Sequence, residues 1–177
     1  MNIEKFLGSK TRAGIIKYLL FKRQWVSLRA LESDLNWSFT AIKKQIDSLL
    51  DAQIVEIDKD SNKWSIYLNN EVEDLVRNIF LYSLEFELKK SFDSYFNMID
   101  KYYLWKVFWN KIDYDIVVVY KNCESWFIDR IKQDISEIFY DYYIENVWVV
   151  FMEFEDFNRR YRLADKFVLN LISNCKD

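Results

Sequence analysis

The sequence predicts an α+β fold in two parts joined by a long helix. Three observations carry that expectation. Apolar residues recur at helical spacing up to Asp51, then alternate with polar ones through two short runs, Ile54–Ile57 and Trp64–Leu68. Beyond residue 102 they gather into near-continuous β-branched runs, Asp115–Tyr120 and Val147–Met152, around one amphipathic stretch. Between these regions Glu71 to about Lys90 reads as one helix. The expected division is 1–69, a connecting region 70–101, and 102–177.

In the first part, Ser9 is placed to cap a helix reaching about Phe21, with Ile15, Ile16, Leu19 and Leu20 at helical spacing. Trp25-Val26 is a short extended piece. Ser27 caps a second helix whose Leu28, Leu31 and Leu35 share a face. Asn36-Trp37 makes a turn, and Ser38 caps a third helix ending near Asp51. Its buried stripe is expected to be Phe39, Ile42, Ile46, Leu49 and Leu50. At about 100° per residue, Thr40, Lys44, Asp47 and Asp51 fall opposite that stripe, flanked by Lys43 and Ser48. Ile54–Ile57 and Trp64–Leu68, joined by the polar turn Lys59–Lys63, form a β-hairpin.

Helix, short extended piece, helix, turn, helix, hairpin is the element order of a winged helix-turn-helix. Such a third helix fits a major groove, where Ser38, Thr40, Lys43, Lys44 and Ser48 would meet base edges and phosphates. Lys59 and Lys63 at the hairpin tip would reach the DNA backbone or the minor groove. The competing expectation is a protein-interaction module. Asp47 and Asp51 repel phosphate, and the third helix has no Arg for a bidentate guanine contact.

In the connector, Val72, Leu75, Val76, Ile79, Phe80 and Leu84 mark one apolar face, but Leu81, Phe86 and Leu88 widen it. A helix apolar on several sides needs two partners, which suits a bridge between domains or a dimer contact, and a simple core helix is equally economical. Ser91–Lys101 is expected to continue as helix or to begin a second one. Further on, Lys106–Trp109 and Asp115–Tyr120 are expected strands, the second buried on both faces. Residues 124–140 form a helix with Trp126, Phe127, Ile131, Ile135, Ile138 and Phe139 inward. Val147–Met152 is another buried strand, and Glu155–Tyr161 and Asp165–Ser173 are closing helices.

Composition narrows the function classes. The chain has 177 residues, no Pro, 2 Gly and 19% aromatics, which excludes a disordered or linker-rich chain. It has no His and no CxxC, so the usual zinc sets and His-dependent triads are missing. Cys123 and Cys175 are expected to be reduced thiols. No cofactor or resident metal is expected. Neither a signal region nor a membrane span is evident, so a cytoplasmic protein is expected. Charge is uneven. Residues 1–69 carry 11 Lys and Arg against 8 Asp and Glu, whereas 70–177 carry 14 against 20. The basic excess lies where the DNA-facing residues lie.

Two resemblances follow from quoted residues. Phe6-Leu7-Gly8-Ser9-Lys10-Thr11-Arg12 is similar to the opening of bacterial and archaeal winged-helix regulators of the ArsR group. In the second part, Asp113-Tyr114-Asp115 leading into a buried strand resembles the minimal nucleotidyltransferase fold. The run Phe154–Leu163 followed by Asp165–Val168 looks like the ending of small winged-helix proteins with a degenerate domain of that kind. The family sets a Gly-Ser turn after its first strand and a third carboxylate on a later one. Here the only glycines are Gly8 and Gly14, and Val147–Met152 carries no acid. The resemblance therefore implies a non-catalytic nucleotidyltransferase-like module for dimerisation, sensing or partner binding, attached to a DNA-binding regulator. Double-stranded DNA, a homodimeric second copy and an unidentified protein or small-molecule effector are the expected partners. The alternatives are a metal-dependent nucleotidyltransferase using Asp113 and Asp115, or a protein-interaction scaffold.

Overall fold

A computed structural model describes residues 2–60, 63–105, 113–121 and 125–174, without the side chains of Asp60, Lys63, Trp105, Asp113, Tyr114, Asp115, Ser125, Asn146 and Asn174. It is a mixed α+β chain. The helices are α1 (Ile3–Leu7), α2 (Lys10–Phe21), α3 (Leu28–Leu35), α4 (Phe39–Asp51), α5 (Glu73–Asp93), α6 (Ser125–Asp141), α7 (Phe154–Arg162) and α8 (Lys166–Asn174). The strands are β1 (Val55–Asp60), β2 (Lys63–Leu68), β3 (Ile99–Trp105), β4 (Asp113–Tyr120) and β5 (Asn146–Glu153). The chain divides into two compact units, Met1–Phe86 and Glu87–Asp177, with the boundary inside α5.

In the first unit, three serines start three helices. Ser9, Ser27 and Ser38 each accept a backbone N–H from three residues on, that of Arg12 at 3.2 Å, Ala30 at 3.2 Å and Ala41 at 3.3 Å. Helix α1 was not anticipated. It is one short turn held by Asn2, which accepts from Lys5 N–H, and it is closed by Gly8 in the left-handed region at φ 67°. Ile15, Ile16, Leu19, Leu31, Ile42, Ile46 and Leu49 are buried and join α2, α3 and α4 in one core. The antiparallel hairpin β1–β2 closes that core with Val55, Ile66 and Leu68. Of the expected extended piece Trp25-Val26 only Val26 is extended, exchanging two backbone bonds with Ile66 at 3.0 and 2.8 Å, whereas Trp25 turns the chain with a left-handed φ of 60°. Phe39 departs from its expected place in the buried stripe and is 40% exposed. It is the first residue of α4, so no preceding turn stands above it to cover the ring.

The second unit is a three-stranded sheet in the order β3-β4-β5, antiparallel then parallel. The parallel pair is joined through α6, as a parallel connection requires. Central β4 is buried on both faces, as its β-branched run implies. Val117 and Val119 pack with Tyr103, Met152, Phe157, Val168 and Leu171, which brings α7 and α8 onto one face. Ile116 and Val118 point to the other face, where α6 contributes Phe127, Ile131, Ile135 and Phe139.

Three expectations fail in this unit. Helix α5 stops at Asp93, and β3 begins at Ile99 within the stretch expected to be helical. The Ser91 carbonyl accepts from the Ser94 hydroxyl at 2.6 Å, a local bond that competes with the helical ladder. Trp126 is 53% exposed rather than inward, because Phe127 takes the buried position beside it. Strand β5 is an edge strand rather than a doubly buried one, with Trp148 63% exposed. The expected strand Lys106–Trp109 lies outside the described residues, as do Cys123 and Cys175. No helix among the described residues is long and apolar enough to cross a membrane.

Tyr95 ties the end of the connector to α6. Its hydroxyl donates to Asp134 at 2.6 Å, and its ring meets Phe127 edge-on at 5.4 Å. Burial, then the bond to Asp134, hold its phenol above the ordinary value of 10.0, against an opposing effect of Arg130. A raised folded-state value favours the neutral phenol, so this contribution is present below the unfolded value and is lost as pH rises through the folded one. Tyr95→Phe is expected to cost about 1 kcal/mol at neutral pH. It should also flatten the alkaline fall in stability, as read by urea unfolding across pH.

Candidate nucleic-acid interface

The candidate surface is the outer face of α4 and the tip of the β1–β2 hairpin. Its orientation begins at a glycine. Gly14 lies inside α2, and a Cβ built there would stand 2.2 Å from the Trp37 ring. The indole of the α3–α4 turn thus occupies the space that any other residue at position 14 would fill. Asn36 makes the turn possible with a left-handed φ of 52°.

Arg12 fixes the flank. Its guanidinium donates to the Leu7 carbonyl at 3.1 Å, to Gln45 Oε1 at 3.1 Å and to Ser48 Oγ at 3.0 Å, joining the end of α1 to α4 through α2. Ser48 is therefore turned to the α2 side of α4, with its oxygen accepting from Arg12, and does not stand on the outer face. Arg12, the last residue of the Phe6–Arg12 run, is a structural residue. Nothing in the helical periodicity points to its three partners.

Thr40, Lys43 and Lys44 are exposed on the first half of α4, and Asp47 and Asp51 are exposed further along. Cations thus sit toward the positive end of the helix and carboxylates toward the other. Ser38 is exposed, and its oxygen is used as the cap. Glu32 of α3 accepts the Phe39 N–H at 3.2 Å, placing one carboxylate beside the helix start. Exposed Phe39 is an apolar group at that same end, outside the buried stripe in which helical periodicity places it.

On the hairpin, Lys59 pairs in register with Trp64, and its ammonium lies 4.5 Å from the centroid of that 56%-exposed ring. The Lys63 side chain lies outside the described ones. The opposite hairpin face is acidic and aromatic. Glu56 accepts from Tyr67 Oη at 2.7 Å, and Trp25 stacks on Tyr67 at 4.1 Å. That bond to Glu56 leads the effects that hold the Tyr67 phenol above its ordinary value.

In the second unit, Asp113 and Asp115 lie in β4. Their side chains lie outside the described ones. Among the described residues no group of three or more His, Cys, Asp or Glu is placed to hold a metal ion. Arg159 and Arg160 both pair with Asp156, the latter at 2.9 Å, and line an open groove of 570 Å³ with Trp148, Val150, Met152 and Phe167. The Arg159 hydrogen bond leads the effects that hold the Asp156 carboxyl below its ordinary value, so this pairing weakens as pH falls through it.

No protein-family model matches the chain, and no curated protein matches it.

Gly14→Ala tests how α4 is seated. Alanine is favoured over glycine inside a helix by about 1 kcal/mol. Overpacking against the indole costs about 1–3 kcal/mol, so the net effect is expected to be destabilising. In a Trp37→Leu background the same substitution should become stabilising. Equal effects in both backgrounds, measured by chemical unfolding, would show that the ring does not sit on Gly14.

Proposed function

We propose that the chain is a DNA-binding transcriptional regulator, with residues 1–69 acting as a winged helix-turn-helix. Helix α4 enters the major groove by its first half, where Thr40, Lys43 and Lys44 are exposed and the helix end is positive. Lys59, held over Trp64, meets the phosphate backbone. The single observation that carries this reading is the segregation of charge along α4. A helix that lay wholly in a groove would set Asp47 and Asp51 against phosphate, whereas one entering by its first turns keeps them away. Base recognition falls to Thr40 and the Phe39 ring, which can meet a thymine methyl. Ser38 serves as the cap and Ser48 as the partner of Arg12, so both support the helix.

The second unit fits a non-catalytic role in dimerisation, sensing or partner binding, in the manner of a degenerate nucleotidyltransferase-like domain. Two copies acting together would read paired half-sites and raise affinity by linkage.

Fluorescence anisotropy with a random-sequence duplex tests this function. Binding should weaken as salt rises, with a slope of about 0.9 per neutralised phosphate on logarithmic axes. Lys44→Glu should weaken binding to every sequence and reduce that slope by about 1. Lys59→Glu should act in the same way, and Asp51→Asn should leave binding unchanged or strengthen it. A folded Lys44→Glu protein that binds as tightly as the wild type would refute the groove assignment.

A further inference from the structure

Helix α5 has two apolar faces. One is buried within the chain and comprises Phe80, Leu84, Leu88 and Phe92. The other comprises Leu75, Ile79, Tyr82 and Phe86, at successive spacings of four, three and four residues. At about 100° per residue these four fall in one narrow stripe, nearly opposite the buried face. Leu75 is 64% exposed, Tyr82 61% and Phe86 47%, with Ile79 partly buried. Alternating three- and four-residue spacing is the pattern by which one helix packs along another. Four large side chains in a row also form a contiguous patch, unlike scattered surface apolar residues.

The charges along α5 indicate what covers this stripe. Glu71, Glu73 and Asp74 stand at its start, and Lys89 and Lys90 near its end. Glu73 is held by Arg77 at 2.6 Å, whereas Glu71, Asp74, Lys89 and Lys90 are exposed. A second α5 laid parallel would set acids against acids and lysines against lysines. Laid antiparallel, it brings each acidic end to the other's lysines and also opposes the two helix dipoles. Centring the antiparallel pair between Ile79 and Tyr82 places Leu75 of each copy beside Phe86 of the other, and Ile79 beside Tyr82.

We infer that α5 pairs antiparallel with α5 of a second copy of this chain through Leu75, Ile79, Tyr82 and Phe86. This deepens the reading of a two-fold DNA-binding assembly and rests on it for its purpose. It is measured without DNA, so the failure of one can be told from the failure of the other.

Light scattering after size-exclusion chromatography, across a concentration series, should give twice the chain mass of 21.7 kDa for the wild type. Leu75→Glu combined with Phe86→Glu should give a single chain with unchanged circular dichroism, and Tyr82→Lys should shift the equilibrium in the same direction. Orientation is read in a background with Cys123→Ser and Cys175→Ser. Leu75→Cys and Phe86→Cys chains, mixed and oxidised, should cross-link to each other, whereas Leu75→Cys alone should not. A monomeric wild type, or a folded Leu75→Glu/Phe86→Glu protein that remains dimeric, would overturn the pairing. Efficient cross-linking of Leu75→Cys alone would overturn its direction.

Discussion

The seating of the Trp37 indole on Gly14 governs the first unit. The apolar stripe Ile42, Ile46 and Leu49 buries one side of α4, and the turn before the helix adds a second constraint. The ring in the turn before α4 meets α2 where there is no side chain, so the start of α4 is set by a close approach that only glycine allows. Arg12 then fixes the rotation of the helix through Gln45 and Ser48, and Ser38 and Glu32 occupy two of its first N–H groups. Together these contacts decide which residues face outward. The exposure of Thr40, Lys43 and Lys44 is a consequence of the buried apolar stripe and the half-buried Arg12 bonds on the other sides of the same helix.

Charge decides how such a surface can be used. Net charge on the chain is −3, and the basic excess is confined to residues 1–69, so attraction to DNA depends on where the charges are placed. Along α4 the cations precede the carboxylates, and on the hairpin Lys59 lies on the face opposite to Glu56 and Asp58. Both elements present a small basic region bordered by acidic groups. In the proposed DNA-binding reading, such a border would limit non-specific attachment and make orientation strict, at the expense of affinity per copy. Low affinity per copy is offset where two copies act together.

Much of this was legible in the sequence where one local rule decides the outcome. Ser9, Ser27 and Ser38 as caps, the β1–β2 hairpin, the doubly buried β4 and the amphipathic α6 all follow from spacing and hydrogen-bonding capacity. What could not be read depends on partners distant in sequence. Arg12 looks like any surface arginine until Gln45 and Ser48 are brought beside it. Ser48 looks like an outward polar residue for the same reason. Phe39 and Trp126 have apolar side chains at helix starts, where periodicity assigns a face but cannot supply a neighbour to cover it. Strand β3, with Asp100 and Lys101 among aromatics, lacks the β-branched signature that made β4 evident, and its pairing with β4 supplies what its own sequence lacks. Val147–Met152 has the composition of a buried strand, yet its place at the sheet edge is a matter of topology.

The central claim is that the first half of α4 and the tip of the hairpin together meet duplex DNA. Amide chemical-shift mapping during titration with a random-sequence duplex at low salt tests it residue by residue. The largest changes are predicted at Thr40, Lys43, Lys44 and Lys59, with Asp51 little affected and residues 87–177 silent. Changes confined to residues 87–177, or none at any DNA concentration, would contradict it.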